Sequence, residues 1–216
     1  MDPQTAVHFQ SLHRCHNRIA VVKDLISHWA TLRRPIIVFD LETTAWEGSL
    51  AANWSRPGEY REVVQIGAVR LMPDLSEVSD FSRYVRPVRN PVLSSYFTDL
   101  TGITQQMINA RGTDFSTALH DFVDFVGAAS AIVSNGTDGD VIVENCHLNG
   151  FACPLDTSLF RDVRKDISRA LSIGDHETPS YMLPQLIGGQ NTGRAHDGLS
   201  DARCIAAALR FIAARA

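Results

Sequence analysis

The chain has 216 residues, 44% of them hydrophobic and 20% charged, enough for one α/β domain with an added segment. Its 20 Lys and Arg against 24 Asp and Glu give a formal charge of −4. That balance excludes a generally basic, DNA-coating protein but leaves room for a local phosphate site that carries its own cations.

No stretch approaches the roughly eighteen apolar residues of a membrane span, so no membrane association is expected. The opening Met-Asp-Pro-Gln lacks a basic-then-apolar leader pattern. Cys15, Cys146, Cys153 and Cys204 show no C-x-x-C spacing, so free thiols and a cytoplasmic location are expected.

Residues 5–32 read as a helix. Leu12, Cys15, Ile19, Val22, Ile26 and Trp29 alternate spacings of three and four and form one apolar stripe. The stripe packs on the domain or serves a homodimer or partner interface. His13 and His16 lie i, i+3 but lack a second ligand pair.

Pro35 precedes an apolar run that leads into Asp40 and Glu42. The run reads as a buried central strand, and period-two alternation places both carboxylates on one face. Carboxylates held that close repel unless protonated or neutralised, and hard divalent cations take such oxygen ligands. Residues 45–61 then read as a loop whose Trp46 and Trp54 stack a base or plug the domain edge.

Residues 63–71 and 81–88 read as strands joined through a Pro73-Asp74 turn, giving a meander with the first strand. Gly102 reads as a helix stop and Thr104 as the cap of the next helix. Residues 115–126 form an amphipathic helix, capped by Thr113 or Asp114, with Phe115, Leu119, Phe122, Val123 and Val126 inward. Residues 131–133 are a short buried strand running into a turn that holds Asp138 and Asp140, with a helix over 141–146. A last strand is expected at 159–163, a helix through Leu171, and a short helix over 181–187 ended by Gly188-Gly189. The final helix carries Ile205, Leu209 and Ile212 on one face. On one helix His196 and Asp201 would point roughly 140° apart. A bend at Gly198 would let His196 fold back over Asp201 in the first turn.

The run Phe39-Asp40-Leu41-Glu42-Thr43-Thr44, then Asp138 in a strand-to-helix turn, then His196-x4-Asp201, resembles the DEDDh family of 3′→5′ exonucleases over nearly all of residues 35–216. Leu100-Thr101-Gly102-Ile103-Thr104 and residues 61–69 are similar to the branch that contains KapD and the Eri-type histone-mRNA 3′-exonucleases. The resemblance implies an α/β, RNase H-like fold, a mixed five-stranded sheet flanked by helices, with residues 1–34 as an added N-terminal helical extension and 35–216 as the exonuclease domain. It implies that Asp40, Glu42, Asp138 and Asp201 hold two divalent cations, Mg²⁺ or Mn²⁺, which activate the attacking water and steady the leaving oxygen. It implies His196 as general base. Backbone groups near Glu42–Thr43 would contact the terminal nucleotide, and Leu100 and Ile103 would line its base pocket. The expected partner is a nucleic acid 3′ end, RNA ahead of single-stranded DNA. Where the branch carries an aromatic residue, Thr137 stands here. Counting back from Glu144-Asn145-Cys146 selects Asp138 as the third carboxylate, while counting forward from Gly136 allows Asp140. Arg83, Arg86, Arg89 and Arg194 are candidates to guide phosphates or are surface solubilisers.

Overall fold

A computed structural model describes residues 24–173, 178–191 and 193–215. Most of the N-terminal stripe (Leu12, Cys15, Ile19 and Val22), with His13 and His16, lies outside the described residues. Helix α1 occupies residues 24–31. Its Ile26 and Trp29 are buried in the core, so this part of the stripe packs on the domain, the first of the two alternatives.

Five strands form one sheet: β1 (Ile36–Thr43), β2 (Val63–Leu71), β3 (Glu77–Tyr84), β4 (Ala131–Ser134) and β5 (Phe160–Asp162), in the order β3-β2-β1-β4-β5. β1, β2 and β3 form the expected antiparallel meander, while β4 pairs parallel to β1 and to β5. Both faces are covered. Ile36 and Val38 of β1 face one cluster, built with α9 (Gly198–Ala214) and α7 (Arg164–Ala170). Ile37 and Phe39 face the other, built with α5 (Phe115–Val126) and α6 (Asp138–Leu148). Phe39 and Phe81 both pack against Phe122, with ring centroids 5.6 Å apart in each pair. Alternation carries the Ile36–Val38 face on to Asp40 and Glu42. Both carboxylates therefore point toward α9.

The remaining helices are α2 (Ser49–Ala52), α3 (Ser95–Thr101), α4 (Gln105–Arg111) and α8 (Leu183–Leu186), the last preceded by a 3-10 turn at Ser180–Met182. Gly102, left-handed at φ 74, ends α3 as expected, and the Thr104 side chain caps α4 by accepting from Met107 N. Asp114, the second of the two candidates, caps α5.

Three expectations need correction. The third strand is not 81–88 but Glu77–Tyr84, an edge strand whose first four residues are exposed. Beyond Tyr84 the chain leaves the sheet: Arg86 N bonds Thr113 O, and Pro87 has no N–H to give. The N–H groups of Val88, Arg89 and Asn90 are taken by the buried Glu62 carboxylate. The helix expected at 141–146 starts a turn earlier, at Asp138. The helix expected at 181–187 is split into the 3-10 turn and α8.

Gly67 of β2 decides where α9 sits. Gly67 is paired with Asp40, and a Cβ there would lie 2.0 Å from Leu199 N. A Cβ on Gly198 would lie 2.9 Å from Asp40 O. Two glycines thus let the start of α9 rest directly on the β1–β2 backbone beside Asp40.

Candidate active site

β1 and β4 are parallel, so their C-terminal ends open on the same edge of the sheet, where ligands of α/β sheets bind. A cleft of about 290 Å³ lies there. Asp40 and Glu42 reach it from β1, Asp138 from the first turn of α6, and Asp201 from the first turn of α9. His196 lines the same cleft. The five residues singled out in the sequence therefore converge, although more than 150 positions separate the first from the last. Asp140 is exposed and borders a different groove, beside Arg89 and His147.

His196 folds back over Asp201, but the bend is at His196 itself, which adopts φ 58. Gly198 is the first residue of α9, behind an Asp197 cap whose side chain accepts from Ser200 N. Gly198 is required for close approach to β1, not for the turn. The His196 backbone N–H donates to Asp201 Oδ2 at 3.2 Å. Gln65, buried on β2, fixes the junction from below: its Nε2 donates to Asp197 Oδ2 at 3.0 Å and its Oε1 accepts from Gly198 N at 3.0 Å.

Burial dominates the electrostatics. Asp40 is held well above the usual carboxylate range by burial and then by the charges of Asp138, Asp201 and Glu42. Glu42 is raised by burial and by Asp201, Asp197 and Asp138. Burial lifts Asp138 to about 6, against hydrogen bonds from its own and the Leu41 backbone N–H. Asp201 rises to about 7 by burial, offset by the bond from His196. His196 is lowered, first by burial and then by the positive charge of Arg194.

Asp201 Oδ1 is buried with no hydrogen-bond partner. Such an atom is costly unless a cation meets it. Glu42, His196 and Asp201 each bring one ligand atom within 4.8 Å of the others. Buried carboxylate oxygens that raise one another's affinity for protons, one of them unpaired, fit a hard divalent cation.

Several site residues were missed by sequence reasoning. Ser180 Oγ donates to Asp40 Oδ1 at 3.1 Å, and Asn135, Tyr181, Leu50 and Arg164 line the cleft. No local pattern marks these positions; only the fold brings them there. Thr43, Leu100 and Ile103 are not among the residues lining the cleft. Thr43 and Leu100 are half-buried, and Ile103 is buried in a third core cluster with Val64, Phe97 and Ile108.

Trp54 plugs the edge: its Nε1 donates to Thr44 O at 2.7 Å, and Arg61 covers its ring. Arg83 pairs with Asp121, Arg89 lies over the Tyr60 ring, and Arg194 donates to Asp99 O. Cys146, Cys153 and Cys204 are free thiols, and burial pushes Cys146 and Cys204 to about 12.

The sequence profile of the family described as Exonuclease (RNase T) matches residues 37–209. Mouse 3′-5′ exoribonuclease 1 is 26% identical over 182 residues, covering 79% of this chain and 50% of that protein. The probable 3′-5′ exonuclease KapD of Bacillus subtilis (strain 168) is 27% identical over 172 residues, 77% of this chain and 78% of that protein. The chain spans about half the length of the mouse, rat and human relatives. The solved nuclease domain of 3′hExo, a DEDDh family member bound to rAMP, superposes with a TM-score of 0.70 at 24% identity, over 82% of this chain and 90% of that one. E. coli exonuclease I in complex with a dT13 oligonucleotide superposes with a TM-score of 0.62 at 14% identity, over 82% of this chain and 40% of that one. The expected RNase H-like architecture is borne out.

Proposed function

The chain belongs to the exonuclease family, and on that premise we propose that it is a metal-dependent 3′→5′ exonuclease hydrolysing phosphodiester bonds from the 3′ end of RNA. The observation that carries this is the convergence of Asp40, Glu42, Asp138, Asp201 and His196 on one cleft, with Asp201 Oδ1 unpaired. The four carboxylates are the proposed ligands of two divalent cations, Mg²⁺ or Mn²⁺. Bound there, the ions would supply Lewis acidity and neutralise the charge that builds on the phosphate and the leaving 3′-oxygen.

His196 is the proposed general base. Its lowered pKa keeps the imidazole neutral near pH 7, so a ring nitrogen is free to accept the proton of the attacking water. The bond from its backbone N–H to Asp201 and the left-handed backbone set where the side chain starts, at the cleft that the residue lines. A second reading takes His196 as a ligand, favoured by its place within 4.8 Å of Glu42 and Asp201.

Thr43 and Leu100 remain the proposed contacts of the terminal nucleotide, supplemented by Leu41 and Leu50 in the cleft wall, with Ile103 supporting from the core. The names of the exoribonuclease relatives support RNA over DNA. A catalytic domain over 35–216, an extension over 1–34 whose residues before the core-packed Ile26 and Trp29 are the candidate homodimer contact, and a cytoplasmic location complete the proposal. Among the described residues no helix is long and apolar enough to cross a membrane.

A degradation assay on RNA, single-stranded DNA and duplexes with 3′ overhangs tests it. The wild type should shorten RNA fastest with Mg²⁺ or Mn²⁺, and Asp40→Ala should abolish shortening with unchanged circular dichroism. Undiminished activity in that variant would overturn the mechanism.

A further inference from the structure

We infer that the adjacent residues Ser180 and Tyr181 form a positioning element that sets Asp40 and His196 relative to each other. The inference rests on the exonuclease reading of the cleft.

Ser180 is only 7% exposed. Its hydroxyl accepts from Asn135 Nδ2 at 3.3 Å and donates to Asp40 Oδ1 at 3.1 Å. An amide N–H aimed at the oxygen leaves the hydroxyl proton to the carboxylate, so the Asn135–Ser180–Asp40 chain has one direction. Asn135 also donates to Thr178 O at 2.9 Å, which fixes the strand of backbone that carries Ser180. The hydrogen bond occupies one named oxygen of Asp40 and limits rotation of a carboxylate that the neighbouring negative charges push away. Partners of this kind orient metal ligands and tune their affinity.

The next residue faces the histidine. In a 3-10 turn successive side chains project about 120° apart, so neighbours reach different groups. The Tyr181 ring lies 4.9 Å from the His196 ring, tilted by 56° to it, within aromatic contact distance. This turn is anchored from the other side too. Tyr181 O accepts from Asn191 Nδ2 at 3.4 Å, and Asn191 Oδ1 accepts from Cys204 Sγ of α9 at 3.2 Å. The 3-10 turn is thus pinned to the β4–α6 junction and to α9, the elements that deliver Asp138 and Asp201. Ser180 acts through Asp40, and Tyr181 through His196.

The test is a calorimetric titration of Mn²⁺ into the full chain, paired with steady-state kinetics on RNA. Ser180→Ala should weaken Mn²⁺ binding about tenfold, and Ser180→Thr, which restores the hydroxyl, should bind as the wild type does. Tyr181→Ala should leave Mn²⁺ affinity unchanged and lower kcat about tenfold at constant KM, with Tyr181→Phe restoring kcat. Wild-type Mn²⁺ affinity in Ser180→Ala, or full kcat in Tyr181→Ala, would overturn the inference. A wild-type chain that takes up no Mn²⁺ would instead overturn the metal-dependent reading beneath it.

Discussion

Asp201→Asn should make the metal-free protein more stable while abolishing its activity. The Asp201 carboxylate is 4% exposed and its folded-state pKa is about 7, against an ordinary 3.8. A rise of about three units, at about 1.4 kcal/mol each, sets a ceiling near 4 kcal/mol for the cost of holding that charge in the fold. Because the folded pKa is raised, the folded state binds the extra proton. The cost is absent below about pH 3.8, grows as pH rises and is complete above about pH 7. An asparagine keeps an oxygen for the His196 N–H but leaves an amide N–H₂ where Oδ1 has no partner. That returns about 1–3 kcal/mol. The net gain is on the order of 1–3 kcal/mol, or roughly 2–12 °C in Tm for a domain of this size. Thermal unfolding in EDTA at about pH 8 and about pH 4 measures it. The variant should gain at the higher pH and not at the lower, and saturating Mn²⁺ should stabilise only the wild type. A variant that is less stable at both pH values would refute the electrostatic reasoning.

Gly67→Ala places a methyl group against the α9 backbone, 2.0 Å from Leu199 N, so the start of the helix must move. Denaturant unfolding should show a loss of at least about 1–3 kcal/mol, accompanied by a drop in activity because Asp201 moves with the helix. His196→Ala should lower kcat by roughly 10²–10⁴-fold with calorimetric Mn²⁺ affinity preserved; lost affinity would establish the ligand role instead. Asp138→Asn should abolish RNA shortening, whereas Asp140→Asn, on an exposed position, should stay within about twofold of the wild-type rate. Equal losses in the two variants would contradict the placement of α6.

How far this molecule could be read from its residues depended on the range of the signal. β1, β2 and α5 announced themselves because burial on one or both faces imposes an unbroken or periodic apolar pattern. The caps at Thr104 and Asp114 were legible because capping is a matter of three residues. β3 was misplaced because its first half, Glu77–Asp80, is a polar exposed edge held only by backbone pairing to β2. Asp138 and Asp140 could not be separated by counting. On a helix they lie about 200° apart, so only one can face the cleft, and that depends on where α6 begins. The His196 bend was anticipated but assigned to the glycine two residues on, because local rules favour glycine for positive φ; here the bond from His196 to Asp201 and the pressure of α9 on β1 divide the two tasks. Ser180, Asn135 and Gln65 were invisible, since each is an unremarkable polar residue whose partner is 45 to 140 positions away.

The decisive measurement is a time course of 5′-labelled single-stranded RNA, bearing a free 3′-hydroxyl, with wild-type protein in Mn²⁺ and in EDTA. A 3′→5′ exonuclease gives a ladder that shortens one nucleotide at a time from the free 3′ end in Mn²⁺, and intact RNA in EDTA. Internal fragments, release of the 5′ label as a mononucleotide from the earliest times without intermediate lengths, or intact RNA in Mn²⁺ would contradict the assignment.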